Sequence, residues 1–185
     1  MTHTDTAVEP ARRTLDLLVA DIRAALRTCP GEAEAADAVA GCLRTRLPGP
    51  EVLTAEQRRG DPDHYVQHIL HVEPGGAFSV VALVWRPGQT TPIHDHVSWC
   101  VVGVLHGMEY EEIFALDEEA GDPRLRRVSD GVNTTGQVCG FAPPGDIHRV
   151  RNTGDDVAVS LHVYGADISV LGNSVRRAYD LPVAG

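Results

Sequence analysis

The chain has 185 residues, the size of one compact domain. Its 16 Lys and Arg against 26 Asp and Glu give a net charge of −10 with neutral histidines, which argues against nucleic acid or an anionic membrane as a partner. No apolar run approaches the roughly 20 residues that cross a bilayer, and the N-terminus lacks a secretory signal pattern. The four cysteines (Cys29, Cys42, Cys100 and Cys139) lie far apart without a CxxC pair. We therefore expect a cytoplasmic protein with reduced thiols.

The first third of the chain has helical periodicity. Apolar residues recur at spacings of three and four and predict an amphipathic helix over 11–28 that begins after Pro10. The same stripe predicts a second helix from near Ala36 to Leu47, ended by a Pro-Gly-Pro sequence, and a short helical turn over 54–59.

Beyond this segment, β-branched runs alternate with clusters of Gly, Pro and Asp, a pattern typical of short strands. Eight strands are predicted, over residues 64–73, 78–86, 99–106, 108–116, 124–129, 137–141, 147–151 and 157–164. Their number and spacing suit an antiparallel sandwich or barrel with the helices on one outer face. We expect one mainly β structural domain, with 1–60 as a helical cap and 61–185 as the barrel, because two short helices could not bury a sufficient core alone.

Nine histidines are present, and two of them form the pattern His94-Asp95-His96. Residues i and i+2 of a strand point to the same side, so two imidazoles could bind one metal ion. Taken alone, the pair is explained at least as well as two polar residues at the end of a strand. The context is more informative, because a turn from Gly88 leads into the pair. A second turn, Pro143-Pro144-Gly145, precedes His148, and Asn152 follows it.

These two blocks resemble the signature motifs of the cupin superfamily, G-x5-H-x-H and P-x-G-x2-H-x3-N, at every specified position. The resemblance implies a double-stranded β-helix barrel, or jelly roll, in which His94, His96 and His148 bind one metal ion at its mouth. The usual motif has a glutamate ligand four or five residues beyond the second histidine, where this chain has Cys100 and Val101. Three neutral imidazoles leave coordination positions open, which suits binding of substrate and O2 better than a closed structural site.

The segment 157–164 carries a second group of polar residues. Alternation places its valines and Leu161 on one face and Ser160, His162 and Tyr164 on the other. Without context this is an ordinary polar strand face. Beside a metal site inside a barrel, the three groups can form a hydrogen-bonded relay ending in a phenol near the ion, and we expect them to be catalytic.

A three-histidine cupin that lacks the glutamate and has S-x-H-x-Y on a late strand resembles the thiol dioxygenases, the cysteine dioxygenase family of mononuclear non-haem iron enzymes. The resemblance extends from about Tyr65 to Tyr164. It implies that the three histidines hold Fe(II), that a small thiol and O2 are the substrates, and that both oxygen atoms end on sulfur as a sulfinate. A cationic iron would lower the pKa of the thiol and give O2 a redox partner.

The residues that choose the substrate differ from those of the cysteine-specific members. Those enzymes grip the carboxylate with an arginine two residues after a tyrosine, whereas this chain has Tyr65-Val66-Gln67. A neutral glutamine lacks the charged bidentate fork of a guanidinium. The segment is similar to the bacterial glutamine-type branch, 3-mercaptopropionate dioxygenase, which implies 3-mercaptopropionate ahead of L-cysteine. A later arginine takes the carboxylate in that branch, and Arg177 is the better match here; its alternative is a solvated basic pair with Arg176.

Cys100 is a further departure from the glutamine-type branch, which usually has glycine there. Animal cysteine dioxygenases keep at this position the cysteine that is crosslinked to the active-site tyrosine. A thioether between Cys100 and Tyr164 is therefore a hypothesis, and its alternative is a small buried thiol.

Several alternatives stay open at this point. L-Cysteine dioxygenase proper is one, and cysteamine is another candidate substrate. A non-redox metal-binding cupin, acting as a sensor or an isomerase, is a candidate of a different class, because one barrel hosts many functions. Nickel or zinc could also occupy a three-histidine site. A monomer and a homodimer are both compatible with the sequence.

Overall fold

The computed structural model describes residues 5–118 and 123–184. In this part of the chain the α-helices are α1 (Asp5–Leu26), α2 (Glu32–Thr45) and α3 (Ile168–Leu171), with short 3₁₀ turns at Pro50–Val52 and Gln57–Arg59. The strands are β1 (Val66–Val72), β2 (Ser79–Trp85), β3 (Ile93–His96), β4 (Cys100–His106), β5 (Met108–Asp117), β6 (Arg124–Thr134), β7 (Val138–Phe141), β8 (His148–Arg151), β9 (Ala158–Tyr164), β10 (Val175–Tyr179) and β11 (Val183–Ala184).

The strands form two sheets. One has the order β1-β2-β9-β4-β7, and the other has the order β10-β3-β8-β5-β6-β11. Neighbouring strands are antiparallel except for the parallel pair β6 and β11. Consecutive strands repeatedly cross from one sheet to the other, so the polar positions of β3, β8 and β9 share one interior. The prediction of a mainly β cupin-type jelly roll with N-terminal helices is confirmed.

The helix boundaries differ from the predicted ones. The first helix was expected after Pro10, but α1 begins at Asp5 and includes that proline. Pro10 stands close to the helix N-terminus, where its missing amide hydrogen removes a single intrahelical bond and does not end the helix. α2 ends at Thr45 instead of Leu47, because Arg46 leaves the helical conformation. Neither these helices nor α3 is long and apolar enough to cross a lipid bilayer.

All eight predicted strands are present, and the described chain has three more that were not among the eight, although the His94-Asp95-His96 pattern was interpreted as part of a strand. β3 is only four residues long and rich in polar groups, β10 carries two arginines, and β11 has two residues. Each depends on a partner distant in sequence, so local patterning does not reveal it. β6 also continues to Thr134 instead of ending at residue 129, because it pairs with β5 along its whole length.

The helices cover the outer face of the five-stranded sheet. Alternate residues of β2, β4 and β9, such as Val80, Val101 and Leu161, pack with apolar residues of α1 and α2 in one core cluster. Their neighbours, such as Val81 and Tyr164, face the barrel interior. These strands are therefore buried on both faces, and the polar row of β9 has no route to solvent except through the barrel. The division of the chain at residue 60 stays a prediction, although the two parts share this core.

A glycine on β4 favours close packing between α2 and the sheet. A Cβ atom at Gly103 would lie 2.5 Å from Leu47 Cδ1 and 3.3 Å from Leu43 Cδ2. The absence of a side chain lets the helix approach the sheet, and this approach seals the outer face of β4.

Replacement of Leu43 by alanine should therefore lower the free energy of unfolding by about 2–5 kcal/mol, because Leu43 is fully buried between helix and sheet. Leu17→Ala is the matched control, since Leu17 on α1 is 44% exposed and should change stability by less than about 1 kcal/mol. Chemical denaturation followed by circular dichroism measures both. Equal losses would contradict a core shared by the helices and the barrel.

Candidate metal centre

Two glycine turns deliver the histidines to the barrel interior. Gly88 has φ +83° and starts the loop into β3, and Gly145 has φ +101° and starts the turn into β8. Both values lie in the left-handed region that only glycine adopts without strain. Thr91 ties the first loop to β8, since its hydroxyl accepts a hydrogen bond from the amide of Val150 at 3.0 Å. The motif asparagine, Asn152, is structural: its side-chain amide donates to the Trp85 carbonyl at 2.9 Å.

The structure brings His94, His96 and His148 together. His94 and His148 are direct Cα partners across the β3–β8 pair. His96 lies on the same face of β3 as His94, two residues on. One ring nitrogen from each of the three lies within 4.8 Å of the others, and all three residues are buried. Their ring centroids are 4.7 to 4.9 Å apart. A single ion can therefore contact all three imidazoles.

Each imidazole is oriented by a hydrogen bond from its Nδ1 atom. His94 donates to the carbonyl of Pro92 at 3.0 Å. His96 donates to Asp146 Oδ2 at 3.1 Å. His148 donates to Glu111 Oε1 at 2.6 Å. Because a neutral imidazole that donates from Nδ1 keeps its lone pair on Nε2, all three Nε2 atoms are available as ligands.

The electrostatics of the cluster favour neutral imidazoles. Burial lowers the pKa of His94 to about 3, with help from the neighbouring His148 and His96. Burial also lowers the pKa of His96, although Asp146 opposes the shift. Burial alone would raise the pKa of Glu111, but its hydrogen bond with His148 holds that pKa below the usual value. Three imidazole nitrogen donors, two of them backed by carboxylates, fit a divalent transition metal.

Asp95, between the two strand histidines, points away from the cluster. Its carboxylate accepts hydrogen bonds from Arg176 and from the Tyr179 hydroxyl, the latter at 2.9 Å. These contacts fasten β10 onto β3 and occupy Arg176 outside the barrel. The alternation of β3 thus separates two ligands inside from one structural carboxylate outside.

The Ser160, His162 and Tyr164 side chains form a continuous hydrogen-bonded row. The Ser160 hydroxyl is hydrogen-bonded to His162 Nε2 at 2.9 Å, and the Tyr164 hydroxyl to His162 Nδ1 at 3.0 Å. Trp85 Nε1 donates to Ser160 Oγ at 3.2 Å. The Tyr164 ring lies 6.4 Å from the His96 ring, centroid to centroid. The row therefore ends beside the three-histidine cluster.

Cys100 lies opposite Tyr164 on the adjacent strand. The two residues are Cα partners in the β4–β9 pair, and Cys100 Sγ is 3.9 Å from His162 Nδ1. Burial raises the pKa of the Cys100 thiol and that of the Tyr164 phenol well above their ordinary values. Both groups are therefore protonated at neutral pH.

A small cavity of about 40 Å³ joins these groups. Its lining includes the three histidines, His162 and Tyr164 of the row, and two residues of the sequence prediction, Tyr65 and Gln67. Tyr65 stacks on Trp85 with ring centroids 4.4 Å apart. Gln67 donates from Nε2 to the Gly172 carbonyl at 3.1 Å.

The Arg177 side chain lies outside the cavity in which we expected it to bind the substrate carboxylate. Its guanidinium lies over the Tyr179 ring at 4.5 Å from the centroid, and Arg177 is not among the described residues that line the cavity. Asn173, Ser174 and Val175 line it instead. The short helix α3 and the loop after it set which residues of this segment reach the cavity, so counting forward from Tyr164 does not locate them.

Sequence reasoning also missed two carboxylates. Asp146 accepts from both the backbone amide and the imidazole of His96, at 2.8 and 3.1 Å. Its signal was its position inside the second motif, between Gly145 and His148. Glu111 carried no local signal, because its contact with His148 depends on the pairing of β5 with β8.

Replacing Glu111 by glutamine should weaken metal binding by about 10- to 100-fold. A neutral amide polarises the His148 Nδ1–H bond less than a carboxylate does, so the Nε2 atom becomes a weaker metal ligand. Glu112→Gln is the control, since Glu112 pairs with Arg149 on the other face of β5. Competition between the protein and a chromophoric chelator for Zn²⁺ measures the affinity. An unchanged affinity in the Glu111 variant would show that this hydrogen bond does not tune the ligand.

Comparison with known proteins places this geometry in a family. The family model described as cysteine dioxygenase type I matches residues 54–174. The human cysteine dioxygenase type 1 is 29% identical over 106 residues, which are 56% of this chain and 52% of the human protein. The zebrafish (Danio rerio) protein of that description is 28% identical over the same shares. The chain spans about half the length of the curated relatives it matches.

The solved structures that this chain resembles are less similar in sequence. An oxalate oxidase in complex with glycolate has a TM-score of 0.45 and 18% identity over 58% of this chain and 53% of its own. A Klebsiella pneumoniae protein with a double-stranded β-helix domain has a TM-score of 0.44 and 16% identity over 63% and 89%. The family match spans well over half of the sequence and contains all three clustered histidines, so the chain belongs to the cysteine dioxygenase type I family.

Proposed function

We propose that the protein is a thiol dioxygenase that holds Fe(II) with His94, His96 and His148 and oxidises a small thiol carboxylate to its sulfinate. The observation that carries this proposal is the hydrogen-bonded row that ends in Tyr164 beside the three buried imidazoles. The reaction adds both atoms of O2 to sulfur, and the thiol hydrogen ends on the sulfinic acid. No further reductant is needed.

The residues of the cavity divide the work. Fe(II), when bound, would supply a cationic centre that lowers the pKa of the thiol and a redox partner for O2. Tyr164 is oriented by His162 and Ser160 and can donate a hydrogen bond to a ligand in the cavity. The helical cap and the buried strands exclude bulk water, so half-oxidised sulfur is retained until both oxygen atoms are transferred.

The cavity favours a thiol without an amino group. No Asp or Glu is among the described residues that line it, so an ammonium group would have no charged partner there. Gln67, Asn173 and Ser174 offer neutral hydrogen-bond donors to a carboxylate. These features support 3-mercaptopropionate ahead of L-cysteine. We also propose that Arg177 binds the carboxylate, which requires its side chain to move away from the Tyr179 ring.

The register of β4 and β9 supports the Cys100–Tyr164 thioether as a further proposal. Its formation would join Cys100 Sγ to the Tyr164 ring and remove one hydrogen from the thiol and one from the ring, and O2 would take up both as hydrogen peroxide. The cytoplasmic location and the choice between monomer and homodimer stay predictions.

The protein loaded with Fe(II) should consume O2 on addition of 3-mercaptopropionate, with one sulfinate formed for each O2. An oxygen electrode and mass spectrometry of the product measure the two amounts, with L-cysteine and cysteamine as the other thiols. His148→Ala should abolish the reaction because a ligand is lost. His106→Ala is the matched control, since His106 is half exposed beside Asp156. Silence of the iron-loaded protein with all three thiols would favour a non-redox cupin.

Introduction of a guanidinium at residue 67 should shift the preference toward L-cysteine. A charge-assisted hydrogen bond to the carboxylate contributes about 1.5–3 kcal/mol, so the ratio of kcat/KM for cysteine to that for 3-mercaptopropionate should rise about tenfold or more in Gln67→Arg. Ile69→Arg adds the same charge on the same strand at a residue that is 43% exposed, and should leave the ratio unchanged. A ratio that does not move in Gln67→Arg would place the carboxylate elsewhere.

A further inference from the structure

Glu109 is a carboxyl group buried behind the Ser160-His162-Tyr164 row. It lies on β5 and is 2% exposed. Its Oε1 atom is buried without a hydrogen-bond partner among the described residues. A carboxylate in such a place is costly, and an unpaired buried oxygen in a native fold calls for a physical reason.

The surroundings of Glu109 connect it to the row. The Ser160 hydroxyl and the Trp85 indole lie near the carboxyl and lower its pKa, which favours the ionised form. Trp85 Nε1 also donates to Ser160 Oγ at 3.2 Å. Glu109 therefore adjoins the end of the row that is opposite Tyr164.

The charged and titratable groups around Glu109 come from several strands. Glu111 lies on the same face of β5 and disfavours a second negative charge. The charge of Glu109 contributes to the raised pKa values of Cys100 on β4, Cys139 on β7 and Tyr164 on β9. On β6 the residue opposite is the neutral Asn133. The arginines of β8, Arg149 and Arg151, pair with Glu112 on the other face of β5.

These surroundings place the protonation of Glu109 near neutral pH. Burial raises the pKa of its carboxyl to about 7, with the charge of Glu111 adding to the shift and the hydrogen bonds of Ser160 and Trp85 opposing it. Glu109 can therefore exist in both forms at physiological pH.

His162 makes the row directional. Burial lowers its pKa to about 3, with the three clustered histidines adding to the shift, so the imidazole is neutral and carries a single N–H. One ring nitrogen must donate and the other must accept. Ser160 bonds to Nε2 and Tyr164 to Nδ1, with Cys100 Sγ a more distant partner of Nδ1 at 3.9 Å. Two arrangements keep both short hydrogen bonds of the row.

In the first arrangement Glu109 is protonated. Its O–H donates to Ser160 Oγ, which also accepts from Trp85. The Ser160 O–H then donates to His162 Nε2, and Nδ1–H donates to the Tyr164 oxygen. The phenolic proton is free to point into the cavity.

In the second arrangement Glu109 is ionised. It accepts the Ser160 O–H, so Ser160 Oγ accepts from His162 Nε2–H. His162 Nδ1 then accepts the Tyr164 O–H. The phenolic proton is held inside the row, and the cavity faces a lone pair of the Tyr164 oxygen.

We propose that Glu109 is a positioning residue whose proton sets the direction of the Ser160-His162-Tyr164 row and thereby decides whether Tyr164 donates into the cavity. The hydrogen bonds within the row are those of the structure. The hydrogen bond between Glu109 and Ser160 is part of the proposal, and the effect on turnover rests on the proposed function. No bond to carbon or sulfur changes in this step, and the proton exchanged at Glu109 passes to or from solvent.

Nuclear magnetic resonance of the full chain, labelled with ¹⁵N-histidine and loaded with diamagnetic Zn²⁺, tests the direction directly. His162 signals are identified by their loss in His162→Gln. In the wild type the tautomer should change from Nδ1–H to Nε2–H as the pH rises from about 5 to about 9, with a midpoint near 7. In Glu109→Gln the amide donates to Ser160 at every pH, so Nδ1–H should persist throughout. Glu112→Gln should keep the wild-type change.

A single tautomer at every pH in the wild type, or a change that persists in Glu109→Gln, would overturn the proposal. The wild type alone also suffices if the glutamine variant does not fold. The ¹³Cδ signal of Glu109 and the ¹⁵N signals of His162 must then change with one shared midpoint, and two separate midpoints would contradict the coupling.

Activity separates this inference from the proposed function. If the protein is a thiol dioxygenase, kcat should fall as the pH rises through about 7 in the wild type, and Glu109→Gln should lack this limb of the profile. A tautomer change without any O2 uptake would overturn the proposed function and leave the role of Glu109 in place. O2 uptake with one fixed His162 tautomer would do the reverse.

Discussion

His148 stands directly across from His94 on the neighbouring strand, and this pairing is the constraint on which the site depends. Two strand positions separated by one residue supply His94 and His96, but the third imidazole comes from a strand more than 50 residues away and must arrive in register. A shift of one residue in β8 would turn His148 to the outside of the barrel. Two glycine turns, the Thr91 contact to β8 and the Asp95 contacts to β10 hold these edges in place.

Burial then determines the chemistry of every group in the interior. It keeps the imidazoles of His94 and His96 neutral and the Tyr164 phenol protonated, because a charge there has few partners. The ionised carboxylates Glu111 and Asp146 are the exceptions, and each is fixed by a hydrogen bond from a clustered histidine. The helical cap completes this arrangement, since β2, β4 and β9 would otherwise expose one apolar face to water.

The parts of this structure that sequence alone predicted are those with a local signal. The His94-x-His96 pair follows from the two-residue period of a strand, and the Ser160, His162 and Tyr164 row follows from the same period on β9. The burial of Glu109 and Glu111 could not be predicted, because three glutamates at 109, 111 and 112 are typical of a solvent-exposed strand. Their burial follows only once β5 is known to pair with β8. The position of Arg177 over the Tyr179 ring could not be predicted either, since counting along the chain does not account for the turn at α3. Pro10 shows that a strong helix-breaking residue is tolerated where it costs one hydrogen bond.

X-ray absorption at the iron edge of the reconstituted protein, recorded before and after anaerobic addition of 3-mercaptopropionate, shows whether the histidine cluster binds iron that the thiol can reach. We expect an iron with three imidazole ligands that gains one sulfur ligand when the thiol is added. Iron bound by fewer than three imidazoles, or a first shell that the thiol leaves unchanged, would contradict this expectation.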